Sequence, residues 1–405
     1  MYVLREYFAS ATFIMSGGSL ARSPPGATLN LLNWLVQLPV IAPLIQAVYW
    51  AVFCVLAPLL APLVMLNGLR EAVSDALAQE PDPDSRARLA VVVTGCDTGF
   101  GRALAIELAQ RGYVVFAGCL KGTMDHQDMA VKGVPAERLH LCKMDVCKQA
   151  EVDATVERVR EWVHAGSGRR VLSVTNNAGV GTGGPIDWLS MQDYERDMAV
   201  NFFGCVRVCQ AFLPLLRLSS RAASAESCAP PRIVIVSSMS GKLPVPMLST
   251  YASSKHAVAA FASCLRLELT DTWGVHVCTA LPSFHRTPLT EGGVQTIRRL
   301  WDSLPRSTRA THGDASATSA FRVADQMMTD WAWDSARVTE ALVRVNSQLR
   351  PPPAELTIGS DARLGLHVLR HLPPAIYEWV IGTWMLWDYV RPEAATQPET
   401  MLKED

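Results

Sequence analysis

LAVVVTGCDTGFGRALAIELAQRG, residues 89–112, decides the fold. Leu89-Ala90-Val91-Val92-Val93 is a continuous apolar run of the kind that forms a strand covered on both faces. RALAIELAQRG then carries apolar residues at helical spacing. Between them lies a glycine turn, TGCDTGFG, running from Thr94 to Gly101 and holding Asp97 and Phe100. Strand, glycine turn and helix together make a pyrophosphate cradle. Gly95 permits the tight turn, Gly99 lets backbone approach the phosphates, and Gly101 lets the helix pack closely. The free N–H groups and dipole of the new helix attract the negative charge.

Further apolar runs follow near residues 114–118, 139–144, 171–175, 233–237 and 275–281, with helical patterns between them. Such alternation predicts an α/β fold with a doubly wound parallel sheet of Rossmann type. No solenoid repeat is evident. The fourth run ends in VTNNAGV, residues 174–180, which contains Asn177, Ala178 and Gly179. Amides at the carboxyl end of a strand either bridge neighbouring strands beside a cofactor crevice or form an Asn-rich turn. Asn201, in AVNFFG, falls within an amphipathic helical pattern, where an amide is a satisfied core group or a polar relay.

The fifth run ends at Ser237 and Ser238, and STYASSKHAVAAF follows. Tyr251 and Lys255 stand at i and i+4, on one helical face. An ammonium one turn from a phenol holds phenolate charge and lowers a pKa that is ordinarily about 10. The tyrosine then serves as acid and base near neutral pH. The spacing alone also fits an ordinary helix surface.

In this order the motifs resemble the short-chain dehydrogenases/reductases. Ser238, thirteen residues before Tyr251, matches the carbonyl-polarising serine of that family. GPIDWLSMQDYERDMAVNFFG, YVVFAGCL, SSMSGKL, SFHRTPLT and DARLGLHVLRHLPPAIYEWV resemble one branch of it. That branch contains membrane-associated retinol and hydroxysteroid dehydrogenases and mitochondrial D-3-hydroxybutyrate dehydrogenase. The resemblance implies that Tyr251 exchanges the substrate proton and that Lys255 lowers its pKa while bonding the nicotinamide ribose. It implies that Ser238 orients the substrate oxygen and that Asn201 holds a water linking Lys255 to solvent. Asp145 and Val146, in LCKMDVC, match residues at the adenine, and Thr287 matches the threonine at the carboxamide. There is one departure. Pro282-Ser283 stands where the family has Pro-Gly, which matters if the turn needs a positive φ.

Cofactor choice is divided in the sequence. The second strand runs out in Cys119-Leu120-Lys121, without the acid that often binds a ribose 2′-OH. Lys121 suits a 2′-phosphate, whereas Asp97 repels one. The branch resembled favours NAD, with NADP possible. No metal site is expected: the ten cysteines contain no C-x-x-C pair, and His256 and His285 read as casual helix or loop positions.

At 405 residues the chain exceeds a single large core, and a net charge of −1 gives no case for nucleic acid. No charged residue lies between Arg22 and Arg70, and the apolar run inside exceeds the about 20 residues one membrane helix needs. Residues 1–70 therefore read as an anchor, either one kinked span or a hairpin broken near Pro39 or Pro43. Residues 71–88 read as a linker, 89–290 as the catalytic domain, and 391–405 as a polar tail. Residues 217–231, rich in Ser and Ala, read as a surface loop.

Residues 291–390 take the place where this family builds a substrate lid and C-terminal helices. Their aromatic stretch 375–390 reads as a core or lid helix or as an interfacial membrane helix. The leading expectation is a membrane-anchored dehydrogenase of a lipophilic retinoid or steroid alcohol, in the endoplasmic reticulum or else the mitochondrion. D-3-hydroxybutyrate dehydrogenase and a non-catalytic nucleotide-binding membrane scaffold are the alternatives. The resemblance also implies a homo-oligomer.

Overall fold

The computed structural model describes residues 79–124, 133–226, 228–326 and 332–367, with parts of 369–381. The expected anchor and polar tail, and most of the aromatic stretch 375–390, lie outside these residues.

Seven parallel strands form one sheet: β1 (Leu89–Thr94), β2 (Val114–Cys119), β3 (Leu139–Lys143), β4 (Arg170–Asn176), β5 (Arg232–Val236), β6 (His276–Pro282) and β7 (Glu355–Ile358), in the order β3-β2-β1-β4-β5-β6-β7. The order reverses between β2-β1 and β4, which opens a crevice at the carboxyl ends of β1 and β4. Residues alternate across the sheet. Val91 and Val93 enter one apolar layer with Leu104 and Leu108 of α1 (Gly99–Gln110), whereas Ala90 and Val92 enter the other. That second layer packs under α2 (Gln149–His164), α4 (Cys205–Glu226) and α5 (Ser249–Trp273). With both faces covered, β1 is buried along its whole length, which explains its unbroken valines.

Helix α3 (Met191–Met198) starts with a reciprocal cap between Ser190 and Asp193. It continues through a π-helical segment, Ala199–Gly204, into α4. The expected loop at 217–231 is corrected here: α4 runs on to Glu226. Its serines dock rather than loop. Buried Ser219 donates to the Leu215 carbonyl at 2.9 Å and accepts the Val171 N–H of β4 at 3.0 Å. Among the described residues, the helical run Met191–Ser224 has the length and apolarity to cross a membrane. It is here a core helix, because buried Asp197 and Asn201 lie on it and Phe212, Leu215 and Leu216 enter the second layer.

Residues after 290 pack in separate places. Helices α6 (Gly293–Ser303) and α7 (Arg306–Gln326, broken at Gly313 with φ 75) pack Ile297, Trp301, Leu304, Ala317 and Ala320 against Trp188. Helix α8 (Ala336–Ser347) and β7 instead join the sheet. Fully buried Asn346 accepts hydrogen bonds from Ser173 and Thr175 of β4 at 2.5 and 2.7 Å. Helix α9 (Ser360–His367) leads to Tyr377 and Ile381, which pack with Leu243 and Leu366 over the segment following β5.

Candidate active site

The glycine turn leaves β1 as its residues require. Gly95 has φ 67 and Gly99 has φ 60, a region that favours glycine. A Cβ on Gly95 would stand 2.7 Å from the Ala178 Cα, and one on Gly99 would point at Thr287 and Pro288, 3.8 to 4.0 Å away. The turn thus faces Thr287 across a gap that a side chain at Gly99 would fill. Gly101 has no room for a Cβ either, with Asn177 Nδ2 2.3 Å away. Helix α1 begins without a side-chain cap at Thr98, leaving its first N–H groups for an anion. Phe100, within the turn, meets the ring of His285 edge-on with centroids 6.1 Å apart.

Thr94 and Asn177 join β1 to β4. Thr94 Oγ1 accepts the N–H groups of Asn177 and Ala178, each at 3.0 Å, while Asn177 Nδ2 donates to the carbonyls of Thr94 and Gly95 at 2.9 and 3.1 Å. Asp97 reaches the end of β2, where its carboxylate accepts the N–H groups of Leu120 and Lys121 at 2.8 and 3.2 Å. An acid from the glycine turn therefore occupies the edge at which the second strand offers none. Asp145 and Val146 follow β3. Asp145 Oδ1 accepts the Cys147 N–H at 3.0 Å, Arg207 of α4 donates to the Val146 carbonyl at 2.7 Å, and the Val146 side chain seats against Gly204.

The proton-transfer residues meet where β5 and α5 converge. Lys255 is buried, and its Nζ donates to the Val236 carbonyl at 2.9 Å while its own carbonyl accepts from Ser237 Oγ at 2.9 Å. Its Nζ lies 5.6 Å from the Tyr251 ring centroid. Ser238 Oγ accepts the Ser240 N–H at 3.1 Å and lies close enough to Tyr251 to favour its ionised form. Asn201 Oδ1 accepts the Val180 N–H at 2.9 Å, and its Nδ2 donates to the Val180 carbonyl and Ser254 Oγ, each at 2.8 Å. A Cβ on Gly179 would meet Asn201 Oδ1 at 3.3 Å and Lys255 Nζ at 3.4 Å, so these two groups flank one backbone position.

The electrostatics depart from the expected depressed phenol. Burial pushes the Tyr251 phenol up to about 12, opposed by the nearby Ser238 hydroxyl and assisted by the charge of Asp197. Burial also pushes the Lys255 ammonium down to about 8. With its Nζ turned to the Val236 carbonyl, Lys255 does not offset the desolvation of the phenol.

Asp197, Thr250 and Met247, not singled out in the sequence, complete the arrangement. Fully buried Asp197 accepts the Thr182 N–H at 3.0 Å, and Thr250 Oγ1 donates to the Thr182 carbonyl at 2.6 Å. The strip 181–184 is thereby pinned beside Tyr251, and Gly181 has no room for a Cβ against that ring. Asp197 stands at i−4 from Asn201, a spacing that marks one helical face. Met247, just before α5, has φ 63, and its carbonyl accepts the Gly184 N–H at 2.7 Å. Among the described residues it is the one non-glycine in the left-handed region.

At Pro282-Ser283 no positive φ is needed: Ser283 is not left-handed, and its N–H donates to the Ile358 carbonyl at 2.9 Å. Gly359, with φ 109, lies opposite, and Ser283 Oγ fills the space where its Cβ would stand. Thr287 caps the short helix Pro288–Glu291 through a reciprocal pair with Thr290. His285, read as casual, is buried with Nδ1 3.0 Å from the Ser283 carbonyl oxygen.

Comparison with known proteins agrees with this geometry. Rat mitochondrial D-beta-hydroxybutyrate dehydrogenase is 32% identical over 72% of this chain and 83% of its own length. Mouse retinol dehydrogenase 5 is 33% identical over 73% and 88%. Mouse estradiol 17-beta-dehydrogenase 2 is 40% identical over 54% of this chain and 52% of its own. In fold, the chain resembles a short chain dehydrogenase/reductase from Burkholderia phymatum in complex with NAD. That match has a TM-score of 0.52 at 21% identity, over 72% of this chain and 94% of the other. The profile of the short chain dehydrogenases matches residues 89–297, so the chain belongs to that family and is a nicotinamide-dependent oxidoreductase.

Proposed function

We propose that this protein is a membrane-anchored, NAD-linked dehydrogenase of a lipophilic secondary or allylic alcohol, a retinoid or hydroxysteroid, with Tyr251 as its acid and base. The observation that carries the substrate class is the wall beside Tyr251. The strip 181–184 leads from the Tyr251 ring to Leu300, and beyond it lie Trp188, Ile297, Trp301, Leu304 and Phe321. The buried arginines among the described residues, Arg170 and Arg232, stand at the amino ends of β4 and β5, at the opposite edge of the sheet; nearer the wall, Arg196 bonds Thr182 but is paired with Asp197, and Arg298 lies over the Phe321 ring but is exposed to solvent. The carboxylate of a hydroxybutyrate calls for a cation in the pocket. The aromatic wall favours an apolar body instead.

The nicotinamide ring, when bound, accepts the hydride in oxidation and donates it in reduction. Thr94, Gly95, Gly99, Phe100 and Gly101 would hold the pyrophosphate region, with Thr287 and Pro282 at the carboxamide. Asp145 and Val146 would border the adenine, and Asn177, Ala178 and Gly179 the inner ribose. Tyr251 Oη takes the alcohol proton as the carbonyl forms and returns it in the reverse direction. Ser238 Oγ holds the substrate oxygen. Turned from the Val236 carbonyl toward the site, Lys255 Nζ would stabilise the Tyr251 phenolate and bond the ribose, and Asn201 would position a water between Lys255 and solvent. Asp97, fixed at the end of β2, disfavours a 2′-phosphate there.

The test is a panel of retinols, hydroxysteroids and D-3-hydroxybutyrate with each cofactor. Turnover of a retinoid or steroid with NAD is expected, and activity confined to hydroxybutyrate would overturn the reading.

A further inference from the structure

Asp197 is a buried carboxylate that proton exchange at Tyr251 does not use, and its partners converge on one residue. It is fully buried on α3, one turn before Asn201. Burying a carboxylate is costly unless it is paired and hydrogen-bonded. Here Thr182 and Arg196 supply the compensation. Asp197 Oδ2 accepts the Thr182 N–H at 3.0 Å, and Oδ1 accepts the Thr182 hydroxyl and Arg196 Nη2, each at 3.3 Å. Arg196 Nη2 also donates to Thr182 Oγ1. The Thr182 carbonyl accepts the Thr250 hydroxyl at 2.6 Å. Thr182, itself buried, thus has its N–H, hydroxyl and carbonyl all engaged.

The sequence around Thr182 shows why it is held so firmly. Residues 181–184 read Gly-Thr-Gly-Gly. Glycine backbone is permissive and costs more entropy to order than any other. The strip therefore takes its place from the bonds of Thr182 and from the Gly184 N–H on the Met247 carbonyl at 2.7 Å. A Cβ on Gly181 would stand 2.9 Å from Tyr251 Cδ2, so this backbone lies against the phenol ring. Thr250, which closes the set, is the residue before Tyr251. Any displacement of Thr182 reaches the ring twice, through the strip and through its own helix.

We propose that Asp197 is a positioning residue for proton transfer: its carboxylate, acting through Thr182, fixes the Tyr251 ring where the reacting oxygen requires it. This rests on Tyr251 being the acid and base and deepens that assignment.

The charge of Asp197 adds a signature. After burial and the nearby Ser238 hydroxyl, it is the next influence on the Tyr251 phenol, and it disfavours the phenolate. At Lys255, which stands over the Tyr251 ring, burial opposes the ammonium while Cys205 of α4 and then Asp197 favour it. Removing the negative charge, and leaving Arg196 unpaired beside the site, moves both titrations to lower pH.

The experiment uses the full-length protein with the alcohol and ketone pair it turns over. Asp197→Leu keeps the volume and removes the acceptor, and Thr182→Val keeps the shape and removes the hydroxyl. They should lower kcat about thirtyfold and about tenfold, with substrate KM and NADH affinity within about twofold of wild type. Asp197→Asn keeps an acceptor and removes the charge. It should lower kcat about threefold and move the pH profiles of oxidation and reduction to lower pH, which a loss of packing does not do. If Asp197→Leu fails to fold, the other two decide. An unchanged kcat in Thr182→Val, a loss of NADH affinity in step with kcat, or an unmoved profile in Asp197→Asn overturns the assignment. Tyr251→Phe separates the two readings. If it keeps its rate, the role of Tyr251 falls and that of Asp197 with it, whereas an inactive Tyr251→Phe beside unaltered Asp197 and Thr182 variants overturns the Asp197 role alone.

Discussion

Tyr251 and Lys255 depend on each other more than their spacing suggests. Their i, i+4 relation was legible in the sequence, but burial acts on both and in opposite directions, holding the phenol at about 12 and the ammonium at about 8. Tyr251→Phe keeps the ring that packs on Gly181 and removes the transferable proton. Turnover should fall by about 10²–10⁴-fold with NADH affinity retained, as read by fluorescence titration alongside steady-state rates. A variant keeping a tenth of the wild-type rate would remove Tyr251 from the role. The pH dependence follows from the signs. Carbonyl reduction needs a protonated Tyr251, present up to about 12, and a charged Lys255, present below about 8. Log kcat/KM for reduction should be level below pH 8 and decline above it. A profile level from pH 7 to 10 would show that Lys255 charge is not required.

At the scale of elements, the glycine turn does more than cradle phosphates, because Asp97 ties it to the end of β2 through the N–H groups of Leu120 and Lys121. Asp97→Ala should raise NADP use relative to NAD by about tenfold, about 1.4 kcal/mol, measured as the ratio of kcat/KM values. An unchanged ratio would assign cofactor choice elsewhere. This contact was not legible in the sequence, since it joins residues far apart in the chain. The six strands β1 to β6 were legible because burial on both faces writes them as apolar runs. β7 was not: Glu355–Ile358 is four residues long, follows three prolines and takes its place only by pairing with Pro282 and its neighbours in β6. The π-helical turn that carries Asn201 was hidden for a different reason. Its residues read as ordinary helix, and the widened turn is visible only once Val180 and Ser254 hold the Asn201 amide. At 217–231, small polar residues read as loop although Ser219 buries its hydroxyl in bonds that seat α4 on β4.

For the whole molecule, the seven strands of the sheet and the groups around Tyr251 all lie after residue 78. The charge-free stretch between Arg22 and Arg70 is therefore available for a separate task. Its apolar length exceeds the about 20 residues that span a bilayer, and insertion on that scale resists removal by alkali where surface adsorption does not. Tyr377 and Ile381, packed with Leu243 and Leu366, tie the start of the aromatic C-terminal stretch to the catalytic fold. Full-length protein in alkaline carbonate should remain in the membrane pellet. A chain beginning at Pro81 should move largely to the supernatant, retain NADH binding and keep whatever residual membrane attachment the C-terminal aromatics supply. Complete extraction of the full-length protein would refute the anchor while leaving the catalytic assignment untouched, because the strands and site residues named for catalysis all lie after residue 78.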